Sequence, residues 1–171
     1  MDRTDWITLF SRLNNKDFAA FETIYRELRL PVYTVARRIV RAEDLAENIA
    51  QEIFLRLLDS PPDPSVKNPR AWVFQMTRNL AIDQLRKEGR RETPPIAEEG
   101  SEDLSIAERL DLEAAIARLE TEQRETLTLH LNCGLSFREI ARVTGRSESA
   151  AYRRYRAALK SLRKMLDGGA E

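Results

Sequence analysis

Ser149, Tyr152, Arg153 and Arg156 fall at i, i+3, i+4 and i+7, so a helix through them puts all four on one arc. A hydroxyl, a phenol and two guanidiniums in that arrangement can reach base edges and phosphates. Arg is the commonest reader of guanine, and the N-terminal residues of a recognition helix are the ones that meet the bases. The elements needed to present this arc are written into the stretch Gly134 to Leu166. Ser136 and Glu139 have the spacing of a capping box, so a short helix starts at Phe137. Ile140, Ala141 and Val143 give that helix an apolar side, and Gly145 supplies the left-handed residue that a sharp reversal needs. Ser147 is the next N-cap, and the second helix runs toward Gly168-Gly169 with Ala151, Tyr155, Ala158 and Leu162 facing a core. Helix, tight turn and basic helix together point to a helix-turn-helix in a DNA major groove. The plainer alternative is a two-helix hairpin with a solvated basic face.

Charge is segregated along the chain although the net charge is zero. Residues 1–59 carry 9 Lys/Arg against 10 Asp/Glu, and residues 60–91 carry 7 against 3. Residues 92–125 carry 3 against 11, and residues 126–171 carry 9 against 4. Two basic blocks separated by an acidic one fit two contacts on a polyanion, with a third segment that avoids the polyanion or imitates it.

The 171 residues, 42% hydrophobic, allow one domain or two small ones. No apolar run approaches the ~18 residues of a membrane span, the N-terminus lacks the pattern of a signal peptide, and a cytoplasmic location is expected. The lone cysteine, Cys133, excludes an internal disulfide and reads as a buried thiol. The lone histidine, His130, reads as the edge of a helical core. These two offer too few soft ligands for a metal site, and there is neither a glycine-rich phosphate loop nor a nucleophile elbow. No cofactor and no catalysis are expected.

The pattern is helical throughout, with helices expected near 4–13, 16–28, 31–41, 43–58, 69–88, 106–119, 122–132, 137–143 and 148–166. Residues 89–105 are polar, acidic and interrupted by Pro94-Pro95 and Gly100, which marks a flexible linker. The fold class is therefore all-α: two small helical domains, 1–91 and 105–171, joined by an acidic linker over 92–104. Ser105 and Glu108 repeat the capping-box spacing at the start of the second domain. The proline-rich run Ser60 to Pro64 makes a stiff loop after the helix of residues 43–58.

Two helices of the first domain carry further signals. Over 46–58, Ala46, Ile49, Ala50, Ile53, Phe54 and Leu57 form an apolar arc, while Asn48, Gln51, Glu52 and Leu55 share the other side. A leucine within that polar stripe is consistent with a protein-binding face, and equally with an ordinary surface leucine. After Asn68-Pro69, Trp72, Met76 and Leu80 form an expected core stripe, Arg70, Arg78, Arg86 and Lys87 a basic edge, and Asp83 a partner for Arg86. Basic residues beside an irregular loop suit single-stranded DNA, whose bases have left the stack.

The segments AENIAQEIFLRLL and NPRAWVFQMTRNLAIDQLRKEGRR resemble domain two of bacterial extracytoplasmic-function (ECF) sigma factors. GLSFREIARVTGRSESAAYRRYRAALKSLR resembles their domain four. The resemblance covers about residues 16–165, and the order and spacing of the two blocks make it specific. It implies a subunit of RNA polymerase rather than an enzyme. Asn48, Gln51, Glu52 and Leu55 match the face that binds the β′ clamp helices, with Asn48 standing where the family usually has Asp. The loop 60–69 matches the segment that captures a flipped base of the −10 element, and Asn79 lies where the next helix nears that strand. Lys67, Asn68, Arg70, Arg78 and Arg86 complete the expected −10 set. Domain four implies −35 recognition by Arg138, Ser147, Ser149, Tyr152, Arg153, Arg154 and Arg156, and contact with the β flap. Ala150-Ala151-Tyr152 stands for a usual Thr-Val-Lys. An anti-sigma factor is the further partner implied, and the acidic linker resembles one that threads toward the active-site cleft. Two other readings stand beside this one: a sigma-like decoy that binds only an anti-sigma factor, and a simple helix-turn-helix regulator.

Overall fold

The computed structural model describes residues 3–88 and 106–167, and the expected linker at 92–104 lies outside them, as does Ser105 of the second capping box. Among the described residues there are eight helices: α1 (Arg3–Asn14), α2 (Phe18–Val40), α3 (Glu43–Asp59), α4 (Pro69–Glu88), α5 (Ile106–Arg118), α6 (Thr121–Leu131), α7 (Phe137–Thr144) and α8 (Glu148–Asp167). None of them is long and apolar enough to cross a membrane.

Two of the expected helices are one. Separate helices were expected near 16–28 and 31–41, yet α2 runs unbroken from Phe18 to Val40, through Pro31. An interior proline costs about 3 kcal/mol. The buried stripe Ile24, Leu28, Val32, Val35, Ala36 and Val40 is continuous across it, and fully burying each valine contributes about 1.5–3 kcal/mol. Packing therefore outweighs the local penalty. Glu27, whose carbonyl loses its donor, lies on the exposed side of the helix, where water can replace it. Asp17 caps the start of α2 by accepting from the Ala19 and Ala20 amides, and Arg41 ends it in the left-handed conformation.

Helix α2 is the hub, with α3 and α4 packed along it. Ala46, Ile49, Ile53, Phe54 and Leu57 of α3 are buried as the wheel predicts. The stripe expected on α4 is corrected. Trp72 and Met76 are only half-buried, while Val73, Phe74, Thr77 and Ala81 are fully enclosed beside Leu80. Buried Thr77 returns its hydroxyl to the Val73 carbonyl, which removes the cost of a polar group inside.

The two halves do not keep separate cores. Leu129, Cys133, Leu135, Ile140, Val143 and Ala151 join the same buried cluster as the residues of α1–α4. A smaller cluster of Ala115, Ile116, Leu119, Leu127, Ala158 and Leu162 holds α5, α6 and α8 together.

Candidate nucleic-acid and polymerase interfaces

The turn between α7 and α8 forms as its sequence dictates. The Ser136 hydroxyl accepts from the Glu139 amide, and the Glu139 carboxylate accepts from the Ser136 amide at 2.7 Å, closing the capping box. Gly145 takes φ 67°, the left-handed value that ends α7. The Ala150 amide donates to the Ser147 hydroxyl at 3.2 Å, so Ser147 caps α8. Ser149, Tyr152, Arg153 and Arg156 are all exposed, on the side opposite buried Ala151, Ala158 and Leu162. Tyr152 lies edge-on to Phe137 at 5.3 Å, and its phenol accepts from Arg156 at 3.3 Å. His130 stacks on Phe137 at 4.6 Å and meets Tyr155 edge-on, which places it at the core margin as expected. Arg138 is exposed on α7. Arg154 is half-buried and, with Arg146, is paired with Glu122 of α6.

On α3, Asn48, Gln51 and Leu55 are exposed, and Glu52 is half-buried in an ion pair with Arg56. Leu55 keeps 65% of its surface open. Gln51 also borders a groove of about 510 Å³ between α2 and α3, walled by Tyr25, Leu30, Tyr33 and Phe54. This is an apolar surface with a polar rim, and patches of that kind serve protein partners.

The residues expected at the −10 strand divide into two sets. Asn79 and Arg86 border an open groove of about 490 Å³ with Arg56, Met76 and Lys87, and Arg86 pairs with Asp83 at 3.6 Å. Lys67 is exposed on the preceding loop. That loop is ordered by Asp63, whose carboxylate accepts from the Ser65 amide at 2.8 Å, and by Asn14, which donates to the Pro62 carbonyl at 2.9 Å. Bonding to Ser65 holds the Asp63 carboxyl below its usual range.

Asn68, Arg70 and Arg78 instead face the other half of the chain. Asn68 caps α4 by accepting from Ala71, and its amide donates to Glu139 of α7. Arg78 is ion-paired with Glu125 of α6. The Arg70 guanidinium packs over Trp6 and Phe74 and lies so close to Gly134 that a Cβ there would sit 3.2 Å from Nη2. Gly134 also has φ 60°, so both backbone and space call for glycine. Burial pushes the Glu139 carboxyl up, but its bonds to Ser136 and Asn68 and the nearby Arg70 charge outweigh that and hold it below its usual range.

Three arginines at the junction carried no signal in the local pattern. Arg38 of α2 pairs with Glu113 of α5 at 3.1 Å, Arg41 donates to the Ala117 carbonyl at 3.2 Å, and Arg124 of α6 donates to the Arg38 carbonyl at 3.1 Å. Nearby Cys133 is buried, and burial pushes its thiol up to about 12, so it stays protonated and unreactive at neutral pH.

Comparison with known proteins agrees with this geometry. Residues 24–91 match the Sigma-70 region 2 family and residues 109–162 match Sigma-70, region 4. Those two regions in this order define a sigma factor. The chain is similar to the ECF RNA polymerase sigma factor SigK of Mycobacterium bovis (strain BCG / Pasteur 1173P2), at 29% identity over 96% of this chain and 95% of that protein. It is similar as well to the SigK of Mycobacterium sp. (strain KMS), at 24% identity over 95% and 91%. Among solved structures, CnrH in complex with the cytosolic domain of CnrY superimposes with a TM-score of 0.71, at 25% identity, over 95% of this chain and 97% of that one. The Bartonella quintana sigma factor RpoE, solved with the anti-sigma factor NepR, shares the fold with a TM-score of 0.73, at 22% identity, over 86% and 96%. The chain belongs to the extracytoplasmic-function sigma factors.

Proposed function

We propose that this chain docks on core RNA polymerase and directs it to promoters, with residues 1–91 serving the polymerase and the −10 element and residues 105–171 the −35 element. Asn48, Gln51, Glu52 and Leu55 meet the β′ clamp helices. Lys67, Asn68, Arg70, Arg78, Asn79 and Arg86 serve the melted −10 strand. Arg138, Ser147, Ser149, Tyr152, Arg153, Arg154 and Arg156 serve the −35 duplex, and the same half contacts the β flap. The chain makes and breaks no bond itself, since the polymerase supplies the chemistry, and it works in the cytoplasm beside the DNA. An anti-sigma factor holds it between signals, a reading supported by the structurally similar sigma factor RpoE, solved with the anti-sigma factor NepR. The observation that carries the proposal is one chain bearing both the capped α7–α8 turn with its exposed basic arc and the α3 stripe with exposed Leu55.

In vitro transcription tests it. Core enzyme with this protein should start transcripts at defined positions on a genomic template library, and core enzyme alone should not. Binding of an anti-sigma factor without any promoter-specific transcript would favour the decoy.

The −35 assignment makes a separable prediction. A bidentate arginine–guanine contact discriminates by about 1–3 kcal/mol, whereas a phosphate contact carries no sequence information. Arg153→Ala should therefore relax the sequence preference. Arg138→Ala should weaken all duplexes about equally and lower the salt slope by about 1. Binding-site selection on randomised duplexes reads both, and an unchanged sequence logo for Arg153→Ala would place the reading face elsewhere on α8.

A further inference from the structure

Arg153 and Arg156 share the exposed arc of α8, but their surroundings differ. Arg156 donates through Nη1 to the Tyr152 phenol oxygen at 3.3 Å, one turn back along the helix. Among the described residues Arg153 has no hydrogen-bond or ion-pair partner. Tyr152 is itself held. Its ring meets the Phe137 ring edge-on, with centroids 5.3 Å apart and planes at 79°. Phe137 is gripped in turn, by His130 stacked on it at 4.6 Å and by Tyr155 at 5.3 Å. His130 is tied through Nδ1 to the Leu135 carbonyl at 2.8 Å. A line of contacts thus runs from the core margin, through His130, Phe137 and Tyr152, to one guanidinium on the exposed face. Edge-on aromatic pairs favour one geometry, and a tyrosine has few rotatable bonds to lose. The long Arg156 side chain is exposed and, without that anchor, would sample many rotamers. The bond to Tyr152 uses a single guanidinium N–H and leaves the others free for the paired bonds that guanine O6 and N7 accept.

We propose that Tyr152 is a positioning residue: anchored on Phe137, its phenol holds the Arg156 guanidinium in the orientation that reads a guanine of the −35 element. The proposal rests on the sigma-factor reading above. It divides the work of the arc, since Tyr152 acts through Arg156 rather than on a base. Holding the guanidinium matters in two ways. An arginine ordered before DNA arrives loses less side-chain freedom on binding, which is worth about two- to tenfold in affinity for the matching site. A loose guanidinium that faces the wrong base can swing to a phosphate, whereas a held one is left with donors unpaired in the groove. The first effect favours the correct sequence and the second penalises the others, so the result is sharper discrimination.

Selection by the holoenzyme tests this. Core polymerase reconstituted with the full chain binds a promoter from the genomic library, randomised across its −35 element, and the bound sequences are counted. Arg156→Ala should remove guanine selectivity of about ten- to a hundredfold at one position. Tyr152→Phe keeps the ring on Phe137 and deletes only the acceptor. It should reduce selectivity at that same position about two- to tenfold. The double variant should lose no more than Arg156→Ala alone. The preference read by Arg153 should be untouched by Tyr152→Phe, and the thermal unfolding of that variant should match wild type. A sequence logo unmoved by Tyr152→Phe would overturn the proposal. So would a loss at a position that Arg156→Ala leaves alone, because the phenol would then meet a base itself. Additive losses in the double variant would overturn it too, as would lower stability with an equal loss at every position, the mark of a merely structural tyrosine. A wild-type holoenzyme that selects no −35 sequence at all would instead defeat the promoter-reading assignment on which the proposal stands.

Discussion

Gln51→Ala combined with Leu55→Asp should reduce affinity for core RNA polymerase by about a hundredfold or more. Hot-spot side chains at protein interfaces cost about 2 kcal/mol or more each when lost, and each 1.4 kcal/mol is a factor of ten. Leu55 has the profile of such a side chain: it is large and apolar, it stands on a rigid 17-residue helix, and it is 65% exposed. An aspartate there would also bury an unpaired charge on docking. The helix itself should survive, because its own packing uses Ala46, Ile49, Ile53 and Leu57 on the opposite side. Anisotropy titration against core enzyme gives the affinity, and far-ultraviolet circular dichroism checks the fold. A loss below about threefold with helicity intact would move the docking face off this stripe, toward the groove between Tyr25 and Leu30.

Features built from neighbours in sequence were legible. The Ser136–Glu139 box, the Gly145 reversal and the exposed arc of α8 each need only a few consecutive residues, and each forms as read. The break expected between 28 and 31 does not form: the penalty of Pro31 is local, while its compensation comes from the continuous stripe of α2 buried against α3 and α4. Trp72 misled because apolar spacing does not tell which side of a helix lies deepest; Val73, Phe74 and Thr77 are enclosed instead. The junction between the halves was illegible in detail. Arg78 and Glu125 are 47 residues apart, Asn68 and Glu139 71, and Arg38 and Glu113 75, and no periodicity reaches that far. The crowding of acids into 92–125 was legible as charge segregation, without saying which basic groups those acids would meet. Glu113, Glu122 and Glu125 of that block are the acids that the arginines hold.

Arg124→Leu should lower stability by about 1–3 kcal/mol for each buried carbonyl that it leaves without a donor. The residue is only 4% exposed, and its guanidinium donates to the carbonyls of Ala117, Leu119 and Arg38 at 3.0–3.1 Å. Arg38 lies in the last turn of α2, and Ala117 and Leu119 lie at the end of α5, where helix carbonyls have no partner of their own. One cation thus caps two helix C-termini and sits at the negative ends of both dipoles. Burial, with Arg41 and Arg38 close by, lowers its pKa to about 10, still far enough above neutral for the charge to persist. Leucine would fill part of the volume but leave the Leu119 and Arg38 carbonyls without this donor, each costing about 1–3 kcal/mol, while Ala117 keeps its bond from Arg41. Lysine should rescue little, because a single ammonium cannot span acceptors on two helices as the planar fork does. Against a total stability of about 5–15 kcal/mol, such a loss would shift the urea midpoint far below that of wild type. A midpoint shift equivalent to less than about 1 kcal/mol for Arg124→Leu, an ordinary surface effect, would show that the caps are dispensable and that apolar packing alone holds the halves together.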